Sequence, residues 1–339
     1  MRILHITDHW TLGGLSRMVH HLVDWQRRRG VDVVVAVGDV ESVAVSQVGL
    51  EVREPLAASA EPVSLAWATR EIRRLDRDLA PDLIHVHQRG LALAALLATG
   101  WSRRVVEHVH GPFDDRRLSS FRARTTLVVG RGLRRMVVEK YGRSGRHVYV
   151  VVNGVPDLGR RPLPDGNTFT VAGLGRLSEE KGVVRFVDTA RELRRRHAPV
   201  RMAWQGWGPL EERVRAETSV VFKPASPDVS EFLDDAHILL SPAWRDSMTL
   251  TIIEAMSVGR PVVATDVGSV GDLVVDGLTG RLLPKAASAT DLADAVLSML
   301  DPTALRAMGA AARDRYEKYF TVEHMCRSVD RAYAEAGLW

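Results

Sequence analysis

Along the first half of the chain, short runs of β-branched and apolar residues alternate with longer stretches whose apolar positions recur every three or four residues. The first unit of this pattern predicts a strand over Arg2 to Thr7, a helix over Ser16 to Arg29 and a strand over Val31 to Val37. Further strands are expected over Leu83 to His87, Arg104 to His110, Thr126 to Val129 and His147 to Val152, with helices near Val63 to Leu79 and Gly132 to Tyr141. Strands separated by helices favour parallel pairing, because a parallel pair needs a long crossover connection. This half therefore reads as one doubly wound α/β sheet.

From Asn153 to Asn167 the rhythm stops. Gly154, Pro156, Gly159, Pro162, Pro164 and Gly166 suit neither a continuous helix nor a central strand, and the segment reads as an interdomain linker. A second α/β series follows, with strands expected over Thr168 to Gly173, Val200 to Gln205, Val220 to Lys223, His237 to Ser241, Pro261 to Thr265 and Arg281 to Leu283. Asp291 to Leu300, Ala304 to Tyr319 and Val322 to Ala336 read as helices.

Size and composition narrow the picture. A chain of 339 residues is expected to form two domains, given about 100 to 200 residues per domain. Hydrophobic content of 45% and charged content of 26% exclude a disordered or fibrous chain. The only cysteine, Cys326, excludes an internal disulfide framework and a thiolate metal cluster, and fits a reducing compartment. Met1 to Asp8 runs into a strand without the features of a signal peptide. The apolar stretch from Gly90 to Trp101 is shorter than the roughly 20 residues that span a bilayer. A cytoplasmic protein is expected.

Charge is uneven. Residues 1 to 153 carry 23 Lys and Arg against 16 Asp and Glu, and the remainder 23 against 26, which gives +7 and −3. Much of the excess lies between Arg103 and Arg146, including Arg116, Arg117, Arg122 and Arg124. This region reads either as a solvated face or as a patch for peripheral contact with anionic membrane or an acidic acceptor. Only Phe113, Phe121 and Tyr141 are interleaved aromatics, which argues against nucleic acid as a partner.

Two segments carry candidate chemistry. Gly173-Leu174-Gly175-Arg176-Leu177-Ser178-Glu179-Glu180-Lys181-Gly182 follows a strand and opens a helix, at the edge where α/β proteins bind ligands. Glycine lets backbone approach an anion, Arg176 offers a forked donor, Lys181 a compact cation and the helix amino terminus a partial positive charge. Alone, the segment fits a diphosphate site or a glycine turn followed by a helix with ordinary surface charges. Downstream, Ser241 to Met256 places a loop before a helix expected to begin near Met248 or Thr249, with Asp246 and Glu254 eight residues apart. Glu254 sits among Ile252, Ile253, Ala255 and Met256. A carboxylate there needs a partner, an arginine or the hydroxyls of a ribose, because burying it alone is costly.

The chain resembles the retaining family-four glycosyltransferases of the GT-B fold in an ordered set of motifs. These are Gly13-Gly14, Asp82-Leu83-Ile84-His85-Val86-His87, Val109-His110-Gly111, Asn153-Gly154-Val155, Gly175-Arg176-Leu177 with Lys181-Gly182, Gly206-Trp207-Gly208-Pro209-Leu210, Glu254-Ala255-Met256 and Asp276-Gly277-Leu278-Thr279-Gly280. The resemblance implies two Rossmann-like domains whose parallel sheets face across a cleft. Residues 1 to 153 would form the acceptor-side domain, 154 to 167 the linker and 168 to 319 the nucleotide-sugar domain, with 320 to 339 packing back on the first.

It further implies that Arg176 and Lys181 bind the donor diphosphate and Glu254 the ribose, that Gly13 and Gly14 admit the donor, and that His110 lies near the transferred sugar. Asp246 joins the catalytic set, and Gly175, Gly206, Phe222, Lys223, Met248, Thr249 and Leu250 complete the donor-binding set. His85 and His87 are read as strand-end histidines satisfied by backbone. Three departures stand out: Asp246 where the family commonly has Glu, Pro224 near a common glycine, and Gly268-Ser269 where Gly-Gly is frequent. Asp is one methylene shorter than Glu, so Asp246 is expected to reach a sugar hydroxyl through water or to suit a differently shaped sugar.

The implied reaction has an acceptor hydroxyl attacking the face that the nucleotide leaves, so that configuration is retained. Fixed cations at Arg176 and Lys181 would stabilise the departing diphosphate, and neither metal nor cofactor is expected. The only Asp-x-Asp pattern, Asp76-Arg77-Asp78, lies in a charged helical stretch and reads as surface. UDP-sugar is the favoured donor and GDP-sugar the next, with a small molecule, glycan or lipid-linked acceptor. A nucleotide-sugar 2-epimerase of the same architecture and a non-catalytic nucleotide-sugar-binding subunit are the competing readings. A dinucleotide-dependent oxidoreductase is disfavoured, since neither half has Gly-x-Gly-x-x-Gly after its first strand.

Overall fold

Strands β1 (Arg2–Trp10), β2 (Asp32–Val40), β3 (Val52–Arg53), β4 (Leu83–Val86), β5 (Val105–Val109), β6 (Thr125–Val128) and β7 (Val148–Val150) form a parallel sheet. Its order is β3-β2-β1-β4-β5-β6-β7 in the computed structural model, which describes residues 1–10, 13–40, 52–53, 62–111 and 120–339. The helices between them are α1 (Gly14–Arg28), α2 (Pro62–Leu79), α3 (Arg89–Ala98) and α4 (Arg131–Arg135), the last continued by a π-helical turn over Met136–Lys140.

Side chains alternate between the two faces of a strand, so consecutive apolar residues feed two cores. On one face Ile3, Leu83, Val106 and Leu127 pack with Met18 and Leu22 of α1. On the other, Leu4, Ile84 and Val105 pack with Ile72 of α2 and with Leu91 and Leu96 of α3. Helix α3 was not among the expected elements. It consists of Ala and Leu apart from Arg89 and Gly90, so it has no polar face to generate a helical period.

A second parallel sheet comprises β8 (Phe169–Leu174), β9 (Val200–Gln205), β10 (Val220–Lys223), β11 (Ile238–Ser241), β12 (Val262–Asp266) and β13 (Gly280–Pro284), ordered β10-β9-β8-β11-β12-β13. Its helices are α5 (Val183–Arg195), α6 (Glu211–Arg215), α7 (Ser230–Asp234), α8 (Leu250–Ser257), α9 (Ala289–Leu297) and α10 (Pro302–Tyr319). In both sheets the order reverses beside the first strand, between β1 and β4 and between β8 and β11. That reversal opens a crevice at the carboxyl ends of the strands, where α/β proteins take ligands.

The chain divides into one unit of Met1–Asn153 with Val322–Trp339 and a second of Gly154–Thr321. The last helix, α11 (Val322–Glu335), returns to the first unit, where Met325, Val329 and Tyr333 join the core under α1. The glycine- and proline-rich segment after Asn153 differs from a free linker, because the second unit holds its backbone. Arg260 donates to the carbonyls of Arg161 (3.0 Å) and Pro162 (2.9 Å), and a ring nitrogen of His237 lies 3.1 Å from that of Pro164. Residues unable to make a helix or strand satisfy their carbonyls with side chains instead.

Candidate functional site

The carboxyl edge of the second sheet is built by three loops locked to one another through backbone. After β8, Gly175 donates to the Gln205 carbonyl (3.0 Å), and Leu177 donates to that of Trp207 (2.8 Å) while accepting from Leu210 (3.0 Å). Gly206 has φ +156°, and a Cβ there would lie 1.9 Å from the Gly175 oxygen, so only glycine fits. This zipper leaves Arg176 exposed, its guanidinium 6.0 Å from the centre of the Trp207 ring. Among the described residues Arg176 makes no ion pair. Phe222 and Lys223 close the same edge at the end of β10, and the Lys223 carbonyl accepts from Gly206 (3.2 Å).

The loops after β8 and β11 meet at the reversal point. Gly182, with φ +72°, caps α5, and an added Cβ would stand 2.0 Å from the Pro242 oxygen. This contact lets the Glu180 carbonyl accept from the amides of Trp244 (2.8 Å) and Arg245 (3.1 Å). It also sets Lys181 Nζ 2.6 Å from Asp246 Oδ2. The Asp246 side chain is only 8% exposed, and its oxygens accept further from Thr249 Oγ1 (2.5 Å) and the Ser247 amide (2.8 Å). Its carboxylate is thus engaged by the chain's own donors, an arrangement that fixes Lys181 and the α8 entrance.

Helix α8 begins at Leu250, with Thr249 in extended conformation before it. The Thr249 side chain does not cap this end, which leaves the partial positive charge of its first amides uncompensated by that residue. Met248 and Thr249 are buried and Leu250 partly so; Met248 serves the core. Glu254 is 1% exposed in the middle of this helix.

In the first unit, Gly13 caps α1 with an ordinary φ of −72°, Gly14 opens that helix, and His110 follows β5. His85 and His87 are not satisfied by backbone, as the sequence suggested. They belong to a histidine cluster with His5, His108 and His110, whose rings are in successive contact. Burial pushes His5 down to about 4 and His110 to about 3, and holds His85, His87 and His108 well below the usual histidine range. All five are therefore neutral at pH 7. Two overlapping groups, His5–His85–His87 and His87–His108–His110, each bring ligand nitrogens within 4.8 Å of one another, close enough to share a metal ion.

Two profiles, described as Glycosyltransferase Family 4 and Glycosyl transferases group 1, match residues 12–157 and 168–302. The chain belongs to this glycosyltransferase family. It is similar to glycogen synthase of Mycobacterium tuberculosis, 25% identical with 99% of this chain and 95% of the relative covered. It is 30% identical to the alpha-D-kanosaminyltransferase of Streptomyces kanamyceticus over 39% of this chain and 36% of that one. Among solved structures, a glycosyltransferase from Rickettsia africae superposes with TM-score 0.82 at 17% identity, covering 99% and 98% of the two chains. The Anabaena protein Alr3699/HepE in complex with UDP-glucose gives 0.79 at 18% identity, covering 98% and 99%. The fold is that of GT-B glycosyltransferases, with a parallel α/β sheet in each of the two units.

Within this glycosyltransferase, Arg176, Lys181, Asp246 and Glu254 lie on the β8 and β11 loops and the helix after β11, and Gly175, Gly206, Phe222 and Lys223 on the neighbouring strand ends. Gly13, Gly14 and His110 belong to the other unit. The Asp-x-Asp pattern has a structural use, since Asp76 pairs with Arg104 at 2.7 Å. Three residues of the basic region are likewise spent internally: Arg104, Arg134 and Arg143 donate to the carbonyls of Pro81, Val148 and Ala123. Arg116 and Arg117 fall outside the described residues. Among the described residues no helix is long and apolar enough to cross a membrane. Sequence reasoning missed the Lys181–Asp246 pair, which joins residues 65 positions apart, and Gln26 and Tyr333 beside the histidines.

Proposed function

We propose that this glycosyltransferase takes its sugar from a nucleoside diphosphate sugar, UDP-sugar first and GDP-sugar next, and transfers it to an acceptor hydroxyl with retention of configuration. The observation that carries the reading is Lys181, held by buried Asp246, on the loop that also presents Arg176 without an ion pair among the described residues, at the reversal point of the sheet. Such a pair of cations, with helix amino termini beside them, suits a pyrophosphate.

Negative charge grows on the diphosphate as the glycosidic bond breaks, and donors already fixed in place stabilise it without reorganising. The Asp246 carboxylate supplies that fixation for Lys181. Two cations make a metal unnecessary for this step. Glu254 is assigned to the ribose hydroxyls, and His110 to a hydroxyl of the transferred sugar. The UDP-glucose complex of the Anabaena neighbour supports the donor class, and the single buried Cys326 fits a cytoplasmic setting.

A thermal-shift panel of UDP, GDP, ADP and dTDP with their sugar conjugates tests the reading. A ligand at 100 times its Kd adds about 2.7 kcal/mol to the state that binds it. A clear upward shift with UDP or GDP is expected; no shift with any diphosphate contradicts the proposal.

A further inference from the structure

Five histidines share one face of the first sheet: His5 on β1, His85 on β4 with His87 just beyond it, and His108 on β5 with His110 just beyond it. His5 lies in register with His85, and residues two apart along a strand point the same way. Gln26 of α1 and Tyr333 of α11 cover the buried end of this face.

Three contacts run in single file. Gln26 Oε1 is 2.8 Å from His5 Nε2, His5 Nδ1 is 3.0 Å from His87 Nε2, and His87 Nδ1 is 3.2 Å from His110 Nε2. A neutral imidazole has one donor and one acceptor, so each link dictates the next. The amide oxygen only accepts, which puts the His5 hydrogen on Nε2 and makes its Nδ1 an acceptor. His87 must then donate from Nε2 and accept at Nδ1, and His110 must donate from Nε2.

We propose that Gln26, His5 and His87 are positioning residues that hold His110 in the Nε2–H form, leaving its Nδ1 as a hydrogen-bond acceptor for a hydroxyl of the transferred sugar. The sugar contact rests on the proposed function; the tautomer does not. Burial keeps each ring neutral, so no link is doubled by a second proton. Turning the Gln26 amide over would reverse every link and make Nδ1 a donor. The orientation of one buried amide therefore sets the chemistry of a distant ring. A second file, from Tyr333 through His85 Nδ1 and then from His85 Nε2 to His108 Nδ1 (3.2 Å), ends at His108 Nε2, which makes no hydrogen bond among the described residues and does not compete for His110. Spacings of 3.0 to 3.2 Å with donors and acceptors alternating favour hydrogen bonding over a shared metal ion.

Long-range proton–nitrogen correlation spectra of the full-length protein labelled with 15N-histidine read each tautomer directly, with His110 assigned by the signals lost in His110→Gln. The wild type is expected to show His110 protonated at Nε2 only. Gln26→Leu and His87→Phe should each populate both tautomers of His110 and lower the transfer rate about tenfold with UDP affinity unchanged, while His108→Phe leaves the tautomer intact. Protonation at Nδ1 in the wild type, an unaltered tautomer in both interrupted variants, or one equivalent of zinc bound in place of the ring N–H groups would overturn the proposal. Failure of UDP to shift the melting temperature while His110 stays locked would instead remove the donor reading and leave the tautomer standing.

Discussion

Lowering the pH from 7.0 to 5.5 should weaken the first unit by about 5 kcal/mol. Unfolded histidines titrate near 6.5, whereas burial keeps His5 near 4, His110 near 3 and His85, His87 and His108 lower than usual. Between these limits the unfolded chain binds more protons than the folded one, so stability is complete above pH 6.5 and falls as pH drops below it. Each ring loses a little more than about 1 kcal/mol over this step, and five lose about 6. Glu107 opposes them: burial raises its carboxyl to about 7, against the pull of the Ala123 and Phe121 amides and of Arg143 and Arg89. The folded state then gains protons at Glu107 as pH falls, returning about 2 kcal/mol. His21, pushed down to about 4 mainly by burial, acts with the five and adds about 1 kcal/mol to the loss. Hydrogen exchange of the β1, β4 and β5 amides, corrected for the intrinsic pH dependence, should lose about three to four orders of magnitude of protection. A loss below tenfold would refute the neutral cluster.

Three further outcomes are expected. Gly182→Ala should destabilise the second unit by at least about 2 kcal/mol in urea unfolding, because φ +72° and the Pro242 oxygen 2.0 Å away both oppose a Cβ; a neutral result would show that the two loops do not meet. Lys181→Ala should weaken UDP binding at least tenfold by calorimetry, and adding Asp246→Asn should cost less than the sum of the singles, since the residues are in contact. Strict additivity would contradict that pairing. Glu107→Gln should raise stability by up to about 3 kcal/mol at pH 8 and hardly at pH 4.5, because the group's raised value penalises its charged form only at higher pH.

Regular strands were legible where a β-branched run stood between polar or turn residues: β9 and β10 fall on the expected residues, Val200 to Gln205 and Val220 to Lys223. Helix α3 was not, because a stretch of Ala and Leu with no polar positions between them carries no period. Gly182 and Gly206 could be recognised as turn formers, but their need for close contact with Pro242 and Gly175 depends on partners remote in sequence. Asp246 shows the same limit: the sequence marks a shortened carboxylate, and only folding reveals Lys181 and Thr249 against it. The histidine cluster did leave a signal. His85 and His87, and His108 and His110, are two apart on successive strands, and that period places them on one face beside His5. Weighing each histidine singly concealed it.

The crystal structure of this glycosyltransferase with UDP tests the central claim most directly. The diphosphate should lie at the carboxyl ends of β8 and β11, with the Arg176 guanidinium and the Lys181 ammonium within hydrogen-bonding distance and Glu254 on the ribose. A diphosphate bound elsewhere, or one that leaves both cations in solvent, would contradict the account.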